Sequence, residues 1–189
     1  MTGPMRLPPM KDEDLNPAQE DVIAPFRQMK ADFNVSRVMV RHPRALAAFR
    51  VWATYVMIDK NALAEREREI VAMRTAFRIQ APYVWARHVW YAERAGLSEA
   101  EMAAIKQPIE AHDWSEADAA LIRATDELVR DFYVSDAVWA QLTAHFSEEQ
   151  CMDAIFCCGH FCLLGMFLST AGCPLDPDVS YDPDLDRFK

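Results

Sequence analysis

The stretch Glu69-Ile-Val-Ala-Met73-Arg-Thr-Ala-Phe-Arg78-Ile-Gln-Ala-Pro82-Tyr-Val-Trp-Ala-Arg-His88 decides how this chain is read. Leu63, Ile70, Met73 and Phe77 recur at helical spacing, the pattern of a helix with one buried face. Pro82 interrupts that helix. A proline pushes the residue before it out of helical conformation, yet it suits the first turn of a new helix. The stretch is therefore a helical hairpin. One arm runs from Leu63 to about Arg78 behind the charged opening Glu65-Arg66-Glu67-Arg68-Glu69, and the other from about Pro82 to Ala95.

The same grammar extends in both directions. Upstream, Pro43 opens a helix whose apolar face is Leu46, Phe49, Ala53, Val56 and Met57, ending near Ile58. Downstream, Gly96 is a natural helix stop, and Ser98-x-x-Glu101 is a capping box that starts the next helix. Ser115 precedes a helix carrying Leu121, Ala124, Leu128 and Phe132, and Ser135 precedes a shorter one with Val138, Trp139 and Leu142. Ser147-Glu-Glu-Gln150 caps the most apolar helix, about 148 to 171. Neither alternating strand pattern nor Asn-Gly hairpin occurs, so the expected fold is an all-α, single-domain bundle of about seven helices. Its expected parts are an extended arm over residues 1–20, a helical domain over 21–173 and a Pro/Asp-rich tail over 174–189 that wraps over the surface.

With 189 residues, 51% hydrophobic, the chain holds enough apolar material for one core. A net charge of −9 opposes a nucleic-acid partner, because such a partner needs clustered Lys and Arg. The reading finds no run of about 18 apolar residues fit to span a bilayer and no signal peptide in Met1 to Met10. The expected setting is cytoplasmic, with no membrane partner. Cys151, Cys157, Cys158, Cys162 and Cys173 crowd the last quarter without a Cys-x-x-Cys, which fits buried reduced thiols. Cys158, His160 and Cys162 point in widely different directions around a helix, so no metal is expected there.

Glu69 and His88 carry the chemistry. A carboxylate can fix an imidazole tautomer while the imidazole moves protons near neutral pH. The competing reading is a surface Glu69 paired with Arg66 and a merely structural histidine.

The spacing of this pair resembles that of the carboxymuconolactone decarboxylase superfamily, which includes the alkylhydroperoxidase D-type proteins. The peroxidase branch carries a Glu, eleven residues, then Cys-x-x-Cys-x-x-x-His. Glu69 and His88 fall in that register, whereas Ala81 and Val84 stand at the two cysteine positions. The continuation through Gly96 and Ser98 to Glu101 looks like the family's as well. The region from Ala124-Thr-Asp126-Glu127 to Gly159-His160-Phe161 is similar to longer decarboxylase-like members, which carry a Tyr where Phe161 stands. The resemblance covers about residues 40 to 175.

The resemblance implies an alkylhydroperoxidase D-like bundle and cofactor-independent acid/base chemistry, a lyase (decarboxylase) acting on a small organic acid or lactone. His88 would move the proton and Glu69 orient it. Arg74 or Arg87, or less specifically Arg78, would grip a substrate carboxylate, with Tyr83 and His160 lining the site. Trp85 and Tyr91 read as core or subunit contacts. The alternatives are a thiol-dependent peroxidase using the C-terminal cysteines and a non-catalytic binding protein. A homo-oligomer (dimer, trimer or hexamer) is implied as well. One point of geometry opposes the pair. In a straight antiparallel hairpin Glu69 and His88 sit about 18 and 9 Å from the turn, too unequal for direct contact.

Overall fold

The structure, a computed structural model, describes residues 4–58 and 61–185. Among the described residues there are nine α-helices and no strand: α1 (Pro17–Gln28), α2 (Asn34–Met39), α3 (Pro43–Met57), α4 (Glu65–Arg78), α5 (Pro82–Arg94), α6 (Glu99–Ile105), α7 (Glu116–Asp131), α8 (Asp136–His145) and α9 (Glu148–Ala171). The all-α expectation holds, with nine helices in place of about seven. The two additional helices are α1 and α2. α1 has its own signal, a capping box in which the Asn16 side chain and Gln19 satisfy each other's backbone N–H groups, with Pro17 in the first turn.

Helix α4 is the axis of the bundle: α5, α7 and α9 all pack against it. Two of its four arginines and its Glu69 are buried along with its apolar residues: Arg68, Glu69, Ile70, Met73 and Arg74. The core around it includes Leu121, Leu142 and Phe161, each of the kind worth about 1.5–3 kcal/mol when fully buried. A smaller cluster of Ile23, Val40 and Leu46 joins α1, α2 and α3.

α9 is held by close approaches and by its one interior charge. Gly165 passes so near the α4–α5 turn that an added Cβ would lie 2.4 Å from the Ile79 side chain. Buried Asp153 accepts hydrogen bonds from the Tyr55 hydroxyl (2.5 Å) and the Ala62 N–H (2.6 Å), tying α9 to α3 and to the loop before α4. Gly172 ends α9 at φ +67°, where any side chain would strike the Pro4 carbonyl.

α9 corrects one expectation. It is 24 residues long and apolar enough, by length and composition alone, to cross a membrane, and half of its most apolar window is buried against the other helices. Asp153 and His160 punctuate this run in the sequence, and both turn inward.

The tail after α9 is docked, not merely draped. Asp176 is buried, Leu185 is fully buried, and Lys106 pairs with Asp182 and Asp184. Residues 186–189 of the expected tail and 1–3 of the expected arm lie outside the described residues.

Candidate active site

Glu69 and His88 touch. The Nδ1 of His88 lies 2.6 Å from Oε2 of Glu69, and both residues are 5% exposed. The straight-hairpin count failed because it ran from Glu69 all the way to the proline. α4 stops at Arg78, and residues 79–81 form a turn with Gln80 at φ 53°. Counted from the helix ends, Glu69 is nine residues back and His88 six forward, about 14 and 9 Å along the axes. Two extended side chains span the remaining difference.

A carboxylate accepts hydrogen bonds and donates none, so the shared proton belongs to Nδ1 of the neutral ring. That leaves Nε2 as the nitrogen with a lone pair, and it makes no hydrogen bond among the described residues. The competing pairing of Glu69 with Arg66 does not occur. Arg66 turns outward to Glu101 and Asp118.

Around His88 the walls are aromatic. The Phe161 ring meets it edge-on at 4.6 Å, and Tyr91 lies 5.5 Å away. Of these two rings, only half-buried Tyr91 reaches solvent. Burial holds its phenol in the neutral, proton-donating form. His160 packs edge-on against the same Phe161 at 5.0 Å and stacks on Phe49 at 5.3 Å. It is buried, its Nδ1 has no hydrogen-bond partner, and its pKa is depressed to about 4, first by burial and then by the charge of His88. The site is thus one oriented imidazole, one uncharged imidazole and three aromatic rings. The arrangement can take up or deliver a proton at Nε2 beside these rings.

The other expected site residues lie elsewhere in the network. Arg74 forms a two-pronged ion pair with Asp126, both contacts 2.7 Å, and donates to the Ile105 and Gln107 carbonyls at 2.5 and 2.8 Å. Its guanidinium binds α4 to α7 and to the end of α6. Arg78 leans on Asp126 as well, at 3.4 Å. The Tyr83 hydroxyl donates to Asp176 at 2.5 Å and accepts from the Val35 N–H at 3.1 Å. Arg87 pairs with Asp176 and Asp178 and lies over the Phe33 ring at 4.0 Å. Tyr83 and Arg87 therefore anchor the tail to α5 rather than face His88. Only His160 joins the pair among the four expected substrate residues.

Of the five thiols, Cys157 is the one that feels the Glu69 charge. Cys157 is fully buried, and burial together with the nearby Glu69 charge pushes its thiol up. Cys158 is pushed up too, chiefly by donating its proton toward Cys162, which is drawn down in turn. Burial raises Cys173 to about 12. The positions of the expected family dithiol, Ala81 and Val84, are both buried core.

An open groove lies on another face. Leu163, Met166, Phe167 and Thr170 of α9 line it with Arg6 and Leu7. At 100° per residue, Leu163 and Met166 point roughly opposite to Phe161, so this groove is not the His88 site.

With that geometry in hand, three comparisons bear on ancestry. Residues 35–126 match the model of the carboxymuconolactone decarboxylase family. No curated relative matches the chain by sequence. Among solved structures, an uncharacterized peroxidase-related protein with an alkylhydroperoxidase D core, from Ralstonia eutropha JMP134, is similar at a TM-score of 0.79 and 18% identity, over 93% of this chain and 94% of that one. A peroxidase-related protein from Silicibacter sp. TM1040 is similar at 0.78 and 14% identity, over 98% and 100%. A debrominase variant in complex with 2,3,4-tribromopyrrole is similar at 0.73 and 16% identity, over 98% and 96%. At these identities the structural matches establish the fold alone.

Proposed function

We propose, from the premise that this chain belongs to the carboxymuconolactone decarboxylase and alkylhydroperoxidase D-like superfamily, that it is a cofactor-independent acid/base enzyme with His88 as proton carrier and Glu69 as the group that orients it. One observation carries this reading: the 2.6 Å Glu69–His88 contact, which leaves Nε2 unpaired against aromatic walls.

The substrate class narrows with the fate of the arginines. Arg74 and Arg87 are paired with Asp126, Asp176 and Asp178, so neither is a free grip for a second substrate carboxylate. A small flat ring carrying the single carboxyl that is to depart suits Phe161, Tyr91 and the uncharged His160 better than a diacid does. The capture of a halogenated pyrrole by a debrominase of similar fold supports a small planar ligand.

In a lyase reaction, breaking the bond to the departing carboxyl leaves its electron pair on the adjacent carbon as an enolate. The protonated Nε2 then delivers its proton there, while the Glu69 carboxylate stabilises the imidazolium that preceded it. Tyr91 is the nearest phenol, placed to donate to the enolate oxygen.

The test is a survey of small lactones and β-keto acids in parallel with hydroperoxides plus a dithiol reductant. Turnover of a lactone or keto acid is expected, abolished in His88→Ala and retained when all five cysteines become serine or alanine. Peroxide turnover that survives His88→Ala and vanishes in Cys162→Ser would overturn the proposal in favour of thiol chemistry.

A further inference from the structure

Cys158 and Cys162 stand one turn apart on α9, which places their Cβ atoms on the same side of the helix at about 5–6 Å. Cys158 is 3% exposed and Cys162 is only partly buried, so the pair has one inner sulfur and one that solvent reaches. The two thiols share a hydrogen bond in which Cys158 donates and Cys162 accepts. Thr75 of α4 lies beside Cys158, and its buried hydroxyl makes no other hydrogen bond among the described residues. Cys157 points about 100° away from Cys158, toward the Arg68 carbonyl, and Cys151 is about two turns distant. Neither Cys158 nor Cys162 has a part in the proton transfer proposed for His88.

We propose that Cys158 and Cys162 together form a covalent binding site for a monosubstituted arsenic(III) compound, R–As(OH)2. Each sulfur forms one bond to arsenic, and each S–H proton leaves with one hydroxide as water. Arsenic keeps its oxidation state, so no oxidant or reductant is consumed. Cys162, the reachable sulfur and the acceptor of the shared proton, makes the first attack, and Cys158 closes the ring. The Thr75 hydroxyl is placed to donate to the Cys158 sulfur once that proton has gone.

Spacing selects this bridge over a disulfide. A disulfide needs Cβ atoms about 3.5–4.5 Å apart, closer than one helical turn brings them, and α9 runs unbroken from Glu148 to Ala171. An arsenic atom set between the sulfurs lengthens the link to S–As–S and leaves the helix as it is. Charge selects the arsenical over a soft metal ion. Two thiolates around a cuprous ion would carry a net negative charge, and α9 has no Lys or Arg along its length to offset it. The arsenical replaces two S–H bonds and stays neutral, as an apolar helix requires.

Phenylarsine oxide, added to the native full chain in an excess of a monothiol, tests this by intact-mass spectrometry. The monothiol strips arsenic held by a single cysteine and leaves a chelate in place. The wild type should retain one phenylarsenic per chain, with Cys158 and Cys162 protected from alkylation, until 2,3-dimercaptopropanol removes it. Cys158→Ala and Cys162→Ala should each weaken retention by at least about 100-fold, the scale on which a second tethered contact acts. Cys162→Ala, at a partly exposed position, keeps the test independent of folding, which circular dichroism checks. Cys157→Ala, Cys173→Ala and His88→Ala should retain the adduct. No retained adduct on the wild type, a retained adduct on Cys162→Ala, or protection of any other pair of thiols would overturn the inference.

Discussion

Helix α4 contributes to two carboxylate-bearing pairs five residues apart, and they differ in what they leave unfinished. Arg74 meets Asp126 with two hydrogen bonds and spends its remaining nitrogen on two carbonyls. Glu69 meets His88 through one hydrogen bond, and the far nitrogen of the ring is left without a partner. Arg74, Glu69 and His88 are each 4 to 5% exposed, whereas the Asp126 side chain reaches solvent at 22%. A saturated pair holds helices together, whereas a pair with one open nitrogen can exchange a proton. Burial and charge alone do not separate structure from chemistry; satisfaction does.

The sharpest way to break this contrast is to neutralise each pair in turn. Glu69→Gln should lower turnover by about 10²- to 10⁴-fold, the range of a lost acid/base contribution, with a small change in melting temperature. Asp126→Ala should do the reverse. It leaves the Arg74 guanidinium buried and uncompensated, at a cost of about 3 kcal/mol in urea unfolding, with activity per folded molecule retained. Exchanged phenotypes would show that the roles had been assigned backwards.

A smaller effect separates His160 from His88. His160 has its pKa lowered to about 4 in the folded protein against the ordinary 6.5 of an unfolded chain, so the unfolded state binds the proton more readily. Its stabilising effect is complete above about pH 6.5 and drains away as pH falls toward 4, about 2 kcal/mol by pH 5. His160→Phe should flatten that part of the stability profile, as followed by thermal melts across pH. An unchanged slope would mean that His160 is not held neutral by its burial against Phe49 and Phe161.

The smallest effect concerns the tail. Asp176→Ala removes the acceptor shared by Asn34, Tyr83 and Arg87, and should cost about 1–2 kcal/mol while leaving chemistry at His88 intact. Loss of turnover without loss of stability would move Tyr83 and Arg87 back toward the reacting centre.

These contrasts also mark what the sequence makes legible. Seven helices, α3 to α9, follow from apolar period, Pro43, Pro82 and the capping residues Ser98, Ser115, Ser135 and Ser147, because these signals act within a few residues. α1 escapes because the prolines and charges of residues 1–20 read as an extended arm, although Pro17 occupies a tolerant first turn and Asn16 and Gln19 form a capping box. The register of Glu69 and His88 is legible through family resemblance. Their contact was not, because it depends on where α4 ends and on the turn at Gln80.

The fates of Arg74, Tyr83 and Arg87 were hidden for another reason. Their carboxylate partners lie 52 to 93 residues away, in α7 and the tail, and no local pattern couples them. An aspartate-rich tail looks like solvated chain until a buried phenol is found to need its acceptor. His160 was legible as a candidate, but not its stacking on Phe49 or the shared Phe161 ring.

The central claim is that Glu69 sets the tautomer of His88 and leaves Nε2 as the working nitrogen. Nitrogen-15 NMR of the histidine rings, followed through the His88 titration in the wild type and in Glu69→Gln, measures this directly. In the wild type the neutral ring should carry its proton on Nδ1 and show a pyridine-like Nε2, and the Glu69→Gln spectrum should lose that preference. A neutral His88 ring protonated on Nε2, or a tautomer ratio indifferent to Glu69, would contradict the account.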